Sequence, residues 1–306
     1  MVMPLSGNIL ITGGSGTLGH AIVRTALAEQ WDCAFTIYSR SELRQAQMRQ
    51  KHPQLRYVLG DVRDYERLSA AVSGHDLVIH AAAMKRVDDC ERHPLECFHT
   101  NVFGSANVVR ACINAAVKRC VAIGTDKQVR AITSYGASKL LMAGLFATSD
   151  YGVTTFSMAR YGNVVASNGS VIPLWRKQAA NKEPLTITDK RCTRFWMAAS
   201  DAVELVVRAA QLGDGETYVP RMRSLSLMDM ADIIAPGCAV REVGLRSTEK
   251  IHEDLIHPDE EAEMDELRDC YIVGNGTTGH SYTSYDAPRL TPQAFRAMLA
   301  EAEAHE

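Results

Sequence analysis

The sequence predicts an α/β fold: a doubly wound parallel sheet carrying a smaller C-terminal lobe. Three observations predict it. Short apolar runs alternate with helical stretches of about 10–15 residues through the first half of the chain, the spacing of βαβ units whose strands must run parallel. A glycine-rich turn, Gly13-Gly14-Ser15-Gly16-Thr17-Leu18-Gly19, joins the first such run to the first helix. The chain of 306 residues is 46% hydrophobic and 23% charged, enough apolar material to cover both faces of a sheet.

Asn8–Thr12 reads as the first strand, and Leu18, Ile22 and Ala26 then share one helix face at i, i+4 and i+8. Cys33–Tyr38, Arg56–Leu59 and Asp76–Ala82 follow as strands. A long helix from Asn101 to Val117 leads to a fifth strand, Cys120–Gly124, and a helix starting near Ser134 leads to a sixth, Thr154–Ala159. Right-handed crossovers between them give the doubly wound arrangement. After Asn163 the rhythm changes. Helices at Val171–Asn181, Ser200–Leu212 and Ser226–Ile234 interleave with short strands at Leu185–Thr188, Glu216–Val219 and Val240–Val243. The acidic segment His257–Asp269 reads as a solvated loop or helix. Thr291–His305 has a threonine cap and Pro292 at its first helical position, so it reads as a closing helix. The expected division is residues 1–163, a nucleotide-binding part, and residues 164–306, a smaller mixed α/β lobe built onto it.

Composition narrows the function. With 33 basic and 36 acidic side chains the formal charge is −3, so no cationic field invites nucleic acid or an anionic membrane. No apolar run of about 18 residues could span a bilayer. Met1–Gly7 has no positive stretch of the kind that opens a secretory leader. The 8 cysteines, at 33, 90, 97, 112, 120, 192, 238 and 270, form no zinc spacing, so no metal is expected. Cys112 and Cys120 sit in apolar surroundings and read as reduced, buried thiols, which fits a cytoplasmic protein.

Gly13, Gly16 and Gly19 stand between a strand and a helix, where glycine allows positive φ and lets backbone N–H groups approach a pyrophosphate at the helix N-terminus. The bland alternative is a tight strand-to-helix turn, but the placement after the first strand favours a Rossmann-like dinucleotide site that includes Ser15, Thr17 and Leu18. The second strand ends in Ser39-Arg40, with Glu42, Leu43 and Arg44 next and no acid where a ribose 2′-hydroxyl would need one. Guanidinium groups suit a 2′-phosphate, so NADP is expected ahead of NAD. Asp61-Val62 closes the third strand where an adenine edge would lie, and Ala81-Ala82 offers small side chains beside the cofactor.

Tyr135-Gly136-Ala137-Ser138-Lys139 puts a tyrosine and a lysine on one helix face. A lysine cation can stabilise a phenolate that otherwise forms only near pH ~10. Upstream, Thr125-Asp126-Lys127 stands at the C-terminal edge of the fifth strand, where open α/β sheets bind ligands. An adjacent carboxyl and amine suit removal of a proton from carbon and delivery of one to a leaving hydroxyl; a surface pair capping a strand is the alternative.

The glycine turn followed by Tyr-x-x-x-Lys resembles the extended short-chain dehydrogenase/reductase family. Thr125-Asp126-Lys127 sharpens the likeness to its nucleotide-sugar 4,6-dehydratase branch, in particular the soluble, inverting UDP-N-acetylglucosamine 4,6-dehydratases. Ile37-Tyr38-Ser39-Arg40-Ser41-Glu42-Leu43, Gly60-Asp61-Val62-Arg63-Asp64, Pro94-Leu95-Glu96-Cys97, Arg160-Tyr161-Gly162-Asn163, Thr193-Arg194-Phe195-Trp196 and Glu249-Lys250-Ile251-His252-Glu253 extend it over nearly the whole chain. Arg86, Asp88-Asp89, Gln128 and Ala131 depart from the family pattern in loops expected near substrate.

The resemblance implies a lyase that dehydrates UDP-N-acetylglucosamine to a UDP-4-keto-6-deoxy-hexosamine with inversion at C5, by internal hydride transfer through bound NADP. It implies Tyr135, Lys139 and Thr125 acting at the sugar 4-hydroxyl, Lys127 as a neutral base at C5 whose pKa burial has lowered, and Asp126 as a protonated acid at C6. Lys85, Asn101 and Asn163 are expected at the cofactor, with Lys85 and Asn163 reaching the sugar as well. Tyr161 and Asn168 are expected at the substrate, Arg194 and Arg246 as diphosphate clamps, and Glu249 on the uridine ribose. A homo-oligomer formed through the helix from Asn101 and the helix after Tyr135 is also implied. The competing readings are an epimerase or reductase on the same fold, and a catalytically silent NADP-binding regulator.

Overall fold

The computed structural model describes residues 4–147, 152–167, 171–213, 215–266, 269–274 and 276–304. The first half alternates as expected: β1 (Gly7–Thr12), α1 (Thr17–Ala28), β2 (Cys33–Ser39), α2 (Glu42–Lys51), β3 (Arg56–Leu59), α3 (Tyr65–Val72) and β4 (Leu77–His80). Two short helices, α4 (Val87–Arg92) and α5 (Pro94–Phe98), run into a π-helical turn at His99–Phe103. Then come α6 (Gly104–Asn114), β5 (Arg119–Ile123), a 3-10 turn at Asp126–Gln128, α7 (Ser134–Ala147) and β6 (Thr155–Ala159). The remainder holds β7 (Asn163–Val164), α8 (Val171–Ala180), β8 (Leu185–Ile187), β9 (Thr193–Met197), α9 (Ala199–Leu212), β10 (Thr217–Pro220), β11 (Arg223–Ser226) and α10 (Leu227–Ile234). It closes with β12 (Val240–Glu242), β13 (Asp254–Ile256), β14 (Ala262–Asp265), β15 (Cys270–Val273), β16 (Tyr282–Thr283) and α11 (Pro292–Glu303).

A nine-stranded sheet runs in the order β14-β15-β10-β6-β5-β4-β1-β2-β3. Strands β1 to β6 and β10 are parallel, and β15 is antiparallel to both its neighbours. Both faces are covered, which is why β1 is apolar without alternation. Ile9 and Ile11 pack with Ile22, Val203 and Val206 on one face, while Leu10 packs with Leu68, Val108 and Phe156 on the other. The strand order reverses between β1 and β4, the crevice where such sheets take their ligands.

Four expectations change. The segment His257–Asp269 contributes a sheet strand, β14, because pairing with β15 satisfies its backbone and buries Ala262 despite the acidic neighbours. The helix expected over Asn101–Val117 opens as a π-helical turn and its regular part ends at Asn114. Thr193–Met197 is a fully buried strand whose apolar character Arg194 conceals in the sequence. Finally, the main sheet continues past residue 163, since β10, β14 and β15 all come from the chain beyond it. They cover the β6 edge, which a parallel sheet cannot leave bare. The smaller lobe keeps its own core of Trp175, Leu185, Ile187, Met230 and Phe295.

Candidate active site

At the crevice, Gly13 adopts φ +67, and a Cβ there would stand 2.8 Å from the backbone of Ala82. The β1 turn and the Ala81-Ala82 segment therefore meet backbone to backbone. A Cβ at Gly19 would lie 2.0 Å from the Gly14 carbonyl, so glycine seats α1 directly on the turn. Gly16 brings no side chain to cap α1, leaving that end to an anion, with Ser15, Thr17 and Leu18 around it. Ser15 donates to Ser39 Oγ at 2.9 Å. Gln45 fixes the end of β2 by donating to the carbonyls of Ser39 (3.0 Å) and Val58 (2.9 Å). Beyond that point Arg40, Glu42, Leu43 and Arg44 are exposed, and neither arginine side chain has a partner among the described residues. A glycine cradle, an uncapped helix end and two unpaired guanidiniums fit a phosphorylated dinucleotide.

Two expected cofactor residues are already engaged. Asp61 accepts from the Arg63 guanidinium at 2.7 Å and 3.0 Å, and Arg63 also pairs with Glu96; Val62 is buried beside it. Asn101 is buried and spends its amide internally. Its Oδ1 accepts from Met84 N (2.8 Å), and its Nδ2 donates to Met84 O and Ser138 Oγ (both 2.9 Å). It therefore ties the segment running from Ala81 to Lys85 onto α7 from behind. The π-helical turn is what points this amide at that segment. Lys85 itself is exposed.

The reacting groups converge on the 3-10 turn after β5. Thr125 opens it: its N–H donates to Gln128 Oε1 (3.0 Å), its Oγ1 accepts from Lys127 N (3.4 Å) and donates to Asp126 Oδ1 (3.1 Å). Behind it, Asp126 N donates to the Tyr161 carbonyl (3.1 Å). Tyr161 is buried, and half-buried Asn163 donates to the Phe195 carbonyl at 3.0 Å. Tyr135 is buried among Cys90, Cys97, Met84 and Val87. Burial pushes its phenol up to about 12, while Lys127 and then Thr125 work against that rise.

Lys139 differs from expectation. Burial lowers its amine to about 7, and its nitrogen donates to Met142 Sδ at 3.2 Å. The main cation acting on Tyr135 is therefore Lys127.

Lys127 corrects the expectation of a neutral base. Burial alone would lower its pKa, yet the carboxylates of Asp126 and Glu253 hold it above the ordinary lysine value. Its Nζ lies 3.0 Å from Asp126 Oδ1 and 3.3 Å from Glu253 Oε1, so the resting group is an ammonium. Asp126 does follow expectation. Burial raises its pKa, and Glu253 adds to the rise against Lys127 and Thr125. Asp126 Oδ2 has no hydrogen-bond partner among the described residues.

A cavity of about 170 Å³ opens beside this turn, lined by Val87, Lys127, Ile132, Thr133, Arg194, Arg246, Thr248, Glu249, Lys250 and Glu253. It gathers Lys127, Arg194, Arg246 and Glu249 as expected, whereas Tyr135, Lys139 and the arginines after β2 lie outside its lining. Arg194 and Glu249 pair with each other at 2.8 Å, which corrects their separate assignment to phosphate and ribose in the resting protein. Arg194 also donates to the carbonyls of Thr193 and Ile251. Arg246, with 63% of its side chain exposed, meets Asp88 at 2.9 Å on the cavity rim. Asn168 lies outside the described residues. Glu253, absent from the residues singled out, is the buried carboxylate that completes the group; its only sequence signal is the Glu249-Lys250-x-x-Glu253 alternation of charge.

A family of polysaccharide biosynthesis proteins matches residues 9–275. The chain belongs to that family, within the extended short-chain dehydrogenase/reductases. Its members' likeness to the chain is close to full length. The UDP-N-acetylglucosamine 4,6-dehydratase (inverting) of Campylobacter jejuni is 40% identical, over 87% of this chain and 82% of its own. The UDP-glucose 4-epimerase of Rickettsia conorii is 37% identical, over 90% of this chain and 85% of its own. Among solved structures, Pen from Bacillus thuringiensis superposes with a TM-score of 0.88 at 31% identity, covering 98% of each chain. Among the described residues, no helix is long and apolar enough to cross a membrane.

Proposed function

We propose that the protein is an NADP-dependent nucleotide-sugar dehydratase that converts UDP-N-acetylglucosamine to a UDP-4-keto-6-deoxy-hexosamine with inversion at C5. The observation that carries this reading is Asp126-Lys127: a buried carboxyl with raised pKa touching a buried ammonium at the cavity wall. When bound, the nicotinamide accepts hydride from the sugar and returns it, so no net oxidant is consumed. The Gly13–Gly19 turn would hold its pyrophosphate, and Arg40 and Arg44 its 2′-phosphate.

Tyr135 takes the proton of the sugar 4-hydroxyl. Thr125 and Lys127 stand where they favour the phenolate that this transfer needs. The 4-ketone acidifies the neighbouring C5–H, so an amine at Lys127 suffices as base. Asp126, kept protonated by burial, gives its proton to the departing 6-hydroxyl, which leaves as water. Arg246 is the guanidinium available to the diphosphate, since Arg194 is engaged by Glu249 and two carbonyls. We propose a cytoplasmic homo-oligomer assembled through the exposed Phe103, Leu140 and Leu141.

The names of the Rickettsia relatives favour a second reading, a 4-epimerase, in which Asp126 and Lys127 would have no proton to move. Lys127→Ala separates the two. On the dehydratase reading this variant still binds NADP and releases no water from the sugar nucleotide. Water release at the wild-type rate removes Lys127 from the reaction.

A further inference from the structure

A lysine that removes hydrogen from carbon must present a lone pair, and Lys127 carries a proton there instead. Its proton needs an acceptor other than solvent once sugar fills the cavity. Asp126 cannot be that acceptor and also arrive protonated at the leaving hydroxyl. The remaining group in contact is Glu253, whose side chain is 5% exposed and whose Oε1 lies 3.3 Å from Lys127 Nζ. Its second oxygen has no hydrogen-bond partner among the described residues, although the chain has buried it.

The surroundings leave Glu253 this role. Arg194 Nε is 4.0 Å from Oε1 and Lys250 Nζ is 4.0 Å from Oε2, both at the limit of an ion pair. Arg194 is engaged more closely by Glu249 at 2.8 Å, and Lys250 by Asp254 at 3.2 Å, with Arg130 also on Asp254. His252 is bonded to Thr193. On the other side of Lys127 stand Asp126, Thr125 and Tyr135.

We propose that Glu253 is the proton acceptor that neutralises Lys127 for the C5 step. One N–H bond of the ammonium breaks, its proton forms an O–H bond at Glu253 Oε1, and the electron pair stays on Nζ. Ammonium and carboxylate become amine and acid, with no change in total charge. Substrate excludes water from the cavity, which penalises the charged pair more than the neutral one. The amine then takes the C5 hydrogen, Asp126 loses its proton to the departing hydroxyl, and the proton on Glu253 passes through Nζ to Asp126 to reset the site. Glu253 acts through Lys127 and does not touch the sugar. The inference rests on the dehydratase reading and adds a residue to it.

The test is Glu253→Gln and Glu253→Asp in the full-length protein with NADP, following water release by mass spectrometry across pH, with melting temperature and NADP affinity as fold controls. Glu253→Gln keeps the shape but cannot store the proton. It is expected to lose ~10-fold or more at neutral pH and to regain rate as pH rises, because Lys127 must now shed its proton to solvent. Glu253→Asp should restore the wild-type pH profile at a reduced rate. A wild-type rate and profile in Glu253→Gln overturns the proposal, as does a loss equal at every pH that aspartate does not rescue. If Glu253→Gln fails to fold, Glu253→Asp decides: a rate unchanged despite the shorter reach to Nζ overturns it, and a reduced rate with the wild-type profile supports it. Failure of the dehydratase reading is distinct, since the wild type itself would then release no water.

Discussion

Gly136 is seated on Lys127: a Cβ at Gly136 would stand 2.2 Å from the Lys127 carbonyl oxygen. This contact lets the first turn of α7 lie against the 3-10 turn, bringing Tyr135 to Thr125, Asp126 and Lys127. Gly136→Ala must push the two apart. An overpacked contact of this kind costs about 1–3 kcal/mol. The expected result is a lower melting temperature together with a large loss of turnover, and an unchanged melt with full turnover would contradict it.

Tyr135→Phe keeps the ring among Cys90, Cys97, Met84 and Val87 and removes only the hydroxyl. Stability should change little, while turnover falls by about 10²–10⁴-fold, the usual worth of a positioned acid or base. Steady-state kinetics beside a thermal melt checks both halves.

Arg40 and Arg44 give a prediction about cofactor choice. Both are exposed and without a side-chain partner among the described residues, so removing them disturbs no internal ion pair. Arg40→Ala with Arg44→Ala should weaken NADP binding by ~10-fold or more and leave NAD binding nearly unchanged, because bidentate guanidinium–phosphate contacts are lost only with NADP. Fluorescence titration with each cofactor measures it. Equal losses for both would assign these arginines elsewhere.

His80 sets a pH dependence of stability. Its ring bridges Thr12 (2.8 Å) and Ser105 (2.8 Å), and burial, helped by Lys139, pushes its pKa down from 6.5 to about 3. The unfolded chain therefore binds a proton that the fold refuses. The contribution of neutral His80 is complete above about pH 6.5 and is lost progressively as pH falls toward 3. The melting temperature should drop between about pH 7 and 5, and drop less steeply in His80→Gln. Parallel slopes would show that other groups control acid lability.

Much of this arrangement is legible in the sequence because it is local. Gly13 to Gly19, the strand ends at Ser39 and Asp61, and the Asp126-Lys127 and Tyr135–Lys139 pairs each sit within a few residues of one another. What escapes is set by partners distant in the chain. The buried strand holding Arg194 is recognisable only once Glu249 neutralises it. The charge on Lys127 depends on Glu253, and Asn101 serves Met84 and Ser138 rather than an open cofactor face. The acidic run containing β14 reads as solvated because nothing nearby announces that β15 pairs with it.

Mass spectrometry of the product formed from UDP-N-acetylglucosamine with catalytic NADP, in deuterated water, tests the dehydratase assignment most directly. The predicted product has lost one water and carries deuterium at C5. A sugar nucleotide of unchanged mass apart from solvent exchange, with its configuration altered at C4, would instead identify an epimerase.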